Sequence, residues 1–143
     1  MRKVRVLVVD DSLTIRAMLE RVLAHDPEIC VIGSAADADE AWEQMIRDNP
    51  DVVTLDITMP GLDGLRFLSD IMARKPTPVV MVSGTTAPGC QEREEALRRG
   101  AAACFGKDRI LSGSAILVDL VKKAARSRGI LGWKPARGSA GGA

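Results

Sequence analysis

The sequence predicts an α/β fold built on a parallel sheet, and two kinds of segment indicate it. Short apolar runs such as Val6–Val9 and Val52–Leu55 are typical of strands that are covered on both faces. Between them lie segments in which apolar residues recur every three or four positions, as on one face of a helix. Five such strand–helix units in succession imply parallel strands joined by right-handed crossovers.

Five apolar runs define the predicted strands. The first, third and fourth runs (6–9, 52–55 and 79–82) are the most apolar, whereas 30–32 and 102–105 are weaker. The most apolar strands belong in the centre of a sheet and the weaker ones at its edges. The order 2-1-3-4-5 meets this requirement. We therefore expect a doubly wound, five-stranded parallel sheet with five helices, a flavodoxin-like three-layer sandwich.

The predicted helices differ in the strength of their start and end signals and in the number of apolar residues that would hold them. The first ends at Asp26-Pro27, and the second has a capping box at its start, formed by Asp37 and Glu40. The fourth helix is predicted to begin near Pro88, because proline suits the first turn of a helix. Leu97 is its main apolar anchor, so we expect this helix to be weakly held.

The length of 143 residues fits one folded domain, and 46% hydrophobic and 27% charged residues are ordinary for such a protein. Three cysteines (Cys30, Cys90 and Cys104) match no zinc spacing, which favours reduced thiols and a cytoplasmic location. Neither a signal peptide nor an apolar run long enough for a membrane span is expected.

Charge is unevenly distributed along the chain. Residues 122–143 hold six of the 20 basic residues and none of the 19 acidic ones, so this segment carries +6 and the rest carries −5. We assign residues 1–128 to the folded domain and 129–143 to a flexible basic tail or linker rich in Gly, Ala and Ser. Because so few charges are diluted by small residues, we expect no binding to nucleic acid.

Polar residues follow the predicted strands at one edge of the sheet, where open α/β sheets hold their ligands. They are Asp10, Asp11, Asp56, Ser83 and Lys107. Each alone has a plainer explanation, since an aspartate can cap the next element and Lys107 can be a solvated loop residue. Their joint placement at successive strand ends favours a site.

The residue types indicate phosphoryl chemistry. Three neighbouring carboxylates repel one another, and a divalent cation such as Mg²⁺ relieves the repulsion. With Asp10 and Asp11 on the metal, Asp56 is left able to attack a phosphoryl group. Lys107 would supply a positive charge for the phosphate, and Ser83 a hydroxyl.

Four segments that contain these residues resemble the response-regulator receiver family over about residues 3–127. They are 7–12, 54–64, 80–84 and 100–107. Two further segments, 50–56 and 78–83, most resemble the receivers of chemotaxis methylesterases and single-domain chemotaxis receivers. The resemblance implies a two-component, phosphorelay protein that takes a phosphoryl group from a histidine kinase and then switches the binding of a downstream protein. The partner would bind the face formed by the fourth helix, fifth strand and fifth helix.

The resemblance also implies individual roles. Asp56 would be the phospho-acceptor, and magnesium would be held by Asp10, Asp11, Asp56 and the backbone carbonyl of Thr58. Ser83 and Lys107 would contact the phosphoryl group. Four residues would belong to the access and switch region: Gly84, Thr85, Cys104 and Phe105.

Two positions depart from the family pattern. The switch position usually holds Tyr or Phe, and here it is Cys104; Phe105 should point into the core because strand residues alternate in direction. The residue after the lysine is often a cis proline. Here it is Asp108, for which a trans bond is expected.

Three interpretations of the function remain. The chain is expected to be a phosphorylation switch and not an enzyme beyond its own phosphotransfer and autodephosphorylation. The first alternative is a regulatory fragment of a protein-glutamate methylesterase, and the second is a scaffold that acts without phosphorylation. No Gly-rich phosphate loop follows the first strand, and a haloacid-dehalogenase site would need an aspartate where Thr58 stands.

Overall fold

A computed structural model describes residues 2–59, 62–84 and 90–127. Five parallel strands form one sheet: β1 (Val4–Val9), β2 (Ile29–Ala35), β3 (Val52–Leu55), β4 (Val79–Ser83) and β5 (Ala103–Gly106). The strand order is β2-β1-β3-β4-β5, which confirms the predicted doubly wound topology. Five α-helices connect or follow the strands: α1 (Leu13–Ala24), α2 (Ala38–Asp48), α3 (Gly64–Arg74), α4 (Gln91–Arg98) and α5 (Ser114–Ser127).

The helices cover both faces of the sheet and so form three layers. On one face α1 and α5 pack against β1, β3, β4 and β5 through apolar side chains that include Leu19, Leu117 and Phe105. On the other face α2, α3 and α4 pack through a second cluster that includes Met45 and Leu68. Alternate residues of each strand supply the two clusters, as burial on both faces requires.

The start of α2 confirms the predicted cap. Oδ1 of Asp37 accepts a hydrogen bond from the backbone N–H of Glu40 at 2.9 Å. The Glu40 carboxylate accepts from the N–H of Ala36 at 3.1 Å, one residue before the position used in a standard capping box. The side chains of Asp37 and Glu40 thus accept hydrogen bonds from the backbone at and before the first turn of α2.

The predicted anchor of α4 is wrong. Leu97 is 37% exposed, whereas its neighbour Ala96 is fully buried against the sheet. A helix turns about 100° per residue, so one side chain faces the core while the next one in sequence turns away. Among the described residues α4 begins at Gln91, and Gly100, at a φ of 114°, follows its end as expected for a glycine stop. The predicted start at Pro88 lies outside the described residues.

Strand bounds differ from the predicted ones at both edges of the sheet. β2 extends over seven residues, Ile29–Ala35, and β5 is shifted by one residue from its predicted position. A small feature was not predicted at all: Thr58–Met59 and Leu62–Asp63 pair antiparallel just after β3. The predicted tail, 129–143, lies outside the described residues, and its flexibility stays a prediction. In the part of the chain that the structure describes, every helix is too short or too polar to cross a bilayer.

Candidate functional site

Two buried carboxylates lie side by side where β1 and β3 end. Asp10 follows the last residue of β1, and Asp56 follows the last residue of β3. The backbone N–H of Asp56 donates to the carbonyl of Val9 at 3.1 Å, which continues the pairing of the two strands up to the site. Asp10 is fully buried and Asp56 is 2% exposed. Such burial is costly for carboxylates unless positive charge or hydrogen-bond donors surround them.

Asp11 completes an acidic cluster with these two residues. One carboxylate oxygen from each of Asp10, Asp11 and Asp56 lies within 4.8 Å of the others, and Asp11 is exposed. Oδ1 of Asp10 accepts a hydrogen bond from the backbone N–H of Ser12 at 2.8 Å. An all-oxygen set of carboxylates, open to solvent on the Asp11 side, fits the preference of Mg²⁺ for hard ligands and retained waters.

Lys107 reaches this cluster from the end of β5. Its Nζ lies 3.1 Å from Oδ2 of Asp10 and 3.0 Å from Oδ2 of Asp56. Burial disfavours the Lys107 ammonium, but hydrogen bonds and charge from Asp56 and Asp10 outweigh that effect and raise the pKa of Lys107. The lysine is therefore a fixed positive charge at neutral pH.

Ser83 lies at the end of β4, and Thr58 lies shortly after the end of β3. Ser83 is the last residue of β4, is 3% exposed, and stands in register with Gly106 of β5. Thr58 begins the short hairpin two residues after Asp56 and pairs with Asp63. Gly84 is exposed, and no described atom lies within 4 Å of a Cβ built on it. Thr85 lies outside the described residues.

Gly64 has a role that the sequence interpretation missed. A Cβ at this position would overlap the carbonyl oxygen of Asp56 and would lie 2.6 Å from that of Ile57. Its N–H donates to the Ile57 carbonyl at 2.7 Å. Gly64 thus allows the start of α3 to pack against the backbone that carries Asp56. The only sequence signal was a glycine directly after Asp63.

The two candidate switch residues point to opposite sides of β5, as predicted. Phe105 is 3% exposed and packs in the cluster between the sheet and α1 and α5. Cys104 is half-buried against the other cluster, and its Sγ lies 3.9 Å from the carbonyl oxygen of Arg93 in α4. Burial raises the pKa of the Cys104 thiol. No cis peptide bond occurs in the described residues, so the Lys107–Asp108 bond is trans as expected.

Comparison with known proteins identifies the family. The model of the response regulator receiver domain matches residues 6–112. A protein-glutamate methylesterase/protein-glutamine glutaminase from Rhizobium johnstonii is 50% identical over 126 residues, which are 87% of this chain and 36% of the relative. A protein of the same description from Caulobacter vibrioides is 47% identical over 131 residues, 89% of this chain and 38% of the relative. The chain thus spans little more than a third of these curated relatives.

Solved structures agree with the sequence comparison. The response regulator domain of Thermotoga maritima CheB is 38% identical, with a TM-score of 0.82 over 87% of this chain and 98% of that one. The signal receiver domain of NarL from Mycobacterium tuberculosis is 33% identical, with a TM-score of 0.78 over 88% of this chain and 98% of that one. The family match covers the β1, β3, β4 and β5 ends that carry the acidic cluster and its lysine. The chain belongs to the response regulator receiver domain family, and it is similar to one part of protein-glutamate methylesterases and to the response regulator domain of CheB.

Proposed function

We propose that this receiver accepts a phosphoryl group on Asp56 and changes its binding to a partner as a result. The contact of Lys107 with Asp10 and Asp56 carries the proposal, because it joins three strand ends into one charged site. A carboxylate oxygen of Asp56 would attack the phosphorus atom of a phosphohistidine on a histidine kinase. The new P–O bond forms as the P–N bond breaks, and the histidine leaves.

The other residues at the site have separate tasks in this proposal. Asp10, Asp11, Asp56 and the backbone carbonyl of Thr58 would hold Mg²⁺. When it is bound, the cation supplies positive charge to the phosphoryl oxygens. On phosphorylation, the Lys107 ammonium would exchange its contact with the Asp56 carboxylate for one with a phosphoryl oxygen. Both contacts are charge-assisted hydrogen bonds. The Ser83 hydroxyl would donate to another phosphoryl oxygen.

The proposed output surface is formed by α4, β5 and α5. Among its residues, Cys104 contacts the backbone of α4, and Ala96 is the buried residue of that helix. A helix held by one small buried side chain belongs to the less stable part of a fold, where a local change at the site is able to shift it. Gly84, Thr85, Cys104 and Phe105 remain proposed access and switch residues. The histidine kinase, the cytoplasmic location and the role in chemotaxis-type signalling are part of the same proposal.

A second candidate is the regulatory receiver of a protein-glutamate methylesterase. The relatives with that description are matched over 36–38% of their length, so this chain corresponds to one part of them. In that case the partner would be a catalytic domain on the same polypeptide. Determining where the natural reading frame ends separates this candidate from a stand-alone switch.

The test of the proposed function is the intact mass of the protein after incubation with MgCl₂ and acetyl phosphate. We expect the wild-type chain to gain one phosphoryl group and to lose it on treatment with hydroxylamine, which cleaves acyl phosphates. Omission of the metal should prevent the gain. A wild-type chain that stays unmodified in the presence of Mg²⁺ would contradict the proposal.

A further inference from the structure

Arg16 contacts the backbone that carries the acidic cluster, and the proposed function gives it no task. It lies in the first turn of α1, where its backbone N–H donates to the carbonyl of Ser12 at 2.9 Å. Helical side chains lean toward the N-terminus of their helix. The half-buried Arg16 side chain therefore reaches back past the helix start, and its Nη1 donates to the carbonyl oxygen of Asp10 at 2.7 Å. A guanidinium donor makes this a charge-assisted hydrogen bond, which is stronger than a neutral one.

The carbonyl group that Arg16 holds belongs to the peptide unit between Asp10 and Asp11. Because a peptide unit is planar, a fixed carbonyl oxygen restricts the backbone rotations on both sides of it, ψ of Asp10 and φ of Asp11. These rotations set the relative directions of two carboxylates of the cluster. Asp10 is also held by its burial and by its N–H, which donates to the Ala35 carbonyl at 3.0 Å. Asp11 is exposed, so packing does less to hold its carboxylate in place.

We propose that Arg16 is a positioning residue that orients the Asp10–Asp11 turn for the binding of Mg²⁺. The inference rests on the proposed function and adds a residue to it. The two cationic side chains at the site then have different tasks. Nζ of Lys107 contacts the carboxylates of Asp10 and Asp56, whereas the guanidinium of Arg16 contacts a main-chain oxygen. Arg16 therefore acts on the metal through the geometry of Asp10 and Asp11.

The charge of Arg16 and its positioning role have opposite effects on the affinity for Mg²⁺. A positive charge beside a cation site repels the cation, so electrostatics alone predicts tighter binding when Arg16 is neutralised. Loss of positioning predicts weaker binding, since removal of a group that orients a metal ligand typically weakens affinity by about 10-fold or more. The direction of the change therefore distinguishes a positioning residue from a neighbouring charge.

The test measures the affinity of the full chain for Mg²⁺ by isothermal titration calorimetry with MgCl₂. Arg16→Met keeps an apolar stem but removes the charge and the donors, and we expect its Kd to rise about 10-fold over that of wild type. Arg21→Met is the matched control, because Arg21 is an exposed arginine on the same helix, and its Kd should equal that of wild type. Arg16→Gln removes the same charge and shortens the side chain. It should weaken binding likewise, and it supplies the measurement if Arg16→Met does not fold.

Phosphorylation by acetyl phosphate gives a second readout. Arg16→Met should need about 10 times more MgCl₂ than wild type for half-maximal phosphorylation. At saturating Mg²⁺ its rate should return to that of wild type, because Asp56 and Lys107 are unchanged. A residue that only supports the fold would lower the unfolding free energy without this shift in the Mg²⁺ requirement.

Two results would overturn the positioning role and leave the proposed function intact. The first is an Arg16→Met protein that binds Mg²⁺ as tightly as wild type or more tightly, while wild type is still phosphorylated. The second is an equal increase of Kd in Arg21→Met. A wild-type chain that neither binds Mg²⁺ nor gains a phosphoryl group would overturn the proposed function and this inference together.

Discussion

Nζ of Lys107 lies 3.0 Å from Oδ2 of Asp56, although β4 separates the strands that carry these two residues. The side chain of Lys107 is 24% exposed and that of Asp56 is 2% exposed, so the pair is largely removed from water. The same ammonium is 3.1 Å from Asp10. One lysine therefore neutralises much of the negative charge that three strand ends bring together.

Replacement of Lys107 by methionine should destabilise the metal-free protein. The change leaves Asp10 and Asp56 buried without their cation, and removal of one partner of a buried pair costs up to about 3 kcal/mol. Urea unfolding measures the loss. The double variant Lys107→Met/Asp56→Asn, which removes one of the two carboxylate charges, should recover part of it. Equal stability of Lys107→Met and wild type would show that the ion pair contributes nothing.

The stabilising effect of Lys107 should persist at alkaline pH. Its pKa is raised above the ordinary value of 10.5, so the folded state holds the proton more tightly than the unfolded state. The contribution is complete below the unfolded pKa and is lost as pH rises through the folded pKa. The difference in unfolding free energy between wild type and Lys107→Met should thus stay constant up to pH 10.5 and fall above it. A difference that disappears near neutral pH would contradict the assignment.

Magnesium should stabilise the folded protein at neutral pH, because it binds an acidic cluster that exists only in the folded state. At a concentration 100 times Kd the gain is about 2.7 kcal/mol. Asp11→Ala should remove most of this dependence, since Asp11 is the exposed carboxylate of the cluster. Asp119→Ala, a change of an exposed acid on α5, is the matched control and should keep it. A melting temperature that is flat with added MgCl₂ in wild type would exclude the metal site.

Thr54 should be replaceable by valine without loss of stability. Its side chain is fully buried between Val8 and Val80 of the neighbouring strands, and its hydroxyl has no hydrogen-bond partner among the described residues. A buried hydroxyl without a hydrogen-bond partner costs free energy of folding, because it has lost its contact with water. Replacement of the hydroxyl by a methyl group in Thr54→Val should therefore be neutral or stabilising by up to about 1 kcal/mol.

The matched control is Thr77→Val. Thr77 is also fully buried, but its hydroxyl donates to the carbonyl of Lys75 at 2.9 Å. This change should destabilise the protein by about 1 kcal/mol. Thermal or urea unfolding of both variants gives the comparison. A larger loss for Thr54→Val than for Thr77→Val would mean that the Thr54 hydroxyl has a partner in solution.

The strand ends could be predicted from sequence because burial on both faces leaves a simple pattern. Continuous apolar runs located β1, β3 and β4, and parallel strands bring their carboxyl ends to one edge. Asp10 and Asp56 were therefore expected to lie together, and they do. Lys107 was expected at the same edge, but its contact with both carboxylates depends on side-chain conformation, which a sequence does not specify.

Other features depend on tertiary contacts that leave weak local signals. Leu97 is the larger apolar residue of α4, yet Ala96 is the residue that is buried in the core, and Leu97 is 37% exposed. Gly64 could be identified as a turn residue but not as the contact point with the Asp56 backbone. The unsatisfied hydroxyl of Thr54 has no sequence signature either, since a threonine in a strand is ordinary.

A phosphoryl mimic such as beryllium fluoride should slow amide hydrogen exchange most in residues 84–99, with little change around Cys104. Cysteine is too small to offer a large ring in two positions, so a change at the site should pass mainly through the backbone that leads into α4. Hydrogen exchange followed by mass spectrometry measures the effect, with Asp56→Asn as the control. Protection that rises chiefly at 102–105 while 84–99 stays unchanged would refute this route.

Localisation of the phosphoryl group tests the central claim most directly. Wild type, Asp56→Asn and Asp63→Asn are incubated with MgCl₂ and acetyl phosphate, and the modified residue is identified by peptide mass spectrometry. Asp63 is a suitable control because its carboxylate is exposed. Its Oδ1 caps α3 by accepting a hydrogen bond from the backbone N–H of Leu65 at 2.9 Å. Asparagine caps a helix equally well, so Asp63→Asn should keep the fold. We predict one hydroxylamine-sensitive phosphoryl group on Asp56 in wild type and in Asp63→Asn, and none in Asp56→Asn. An Asp56→Asn protein that still gains one such group would contradict the assignment of Asp56 as the acceptor.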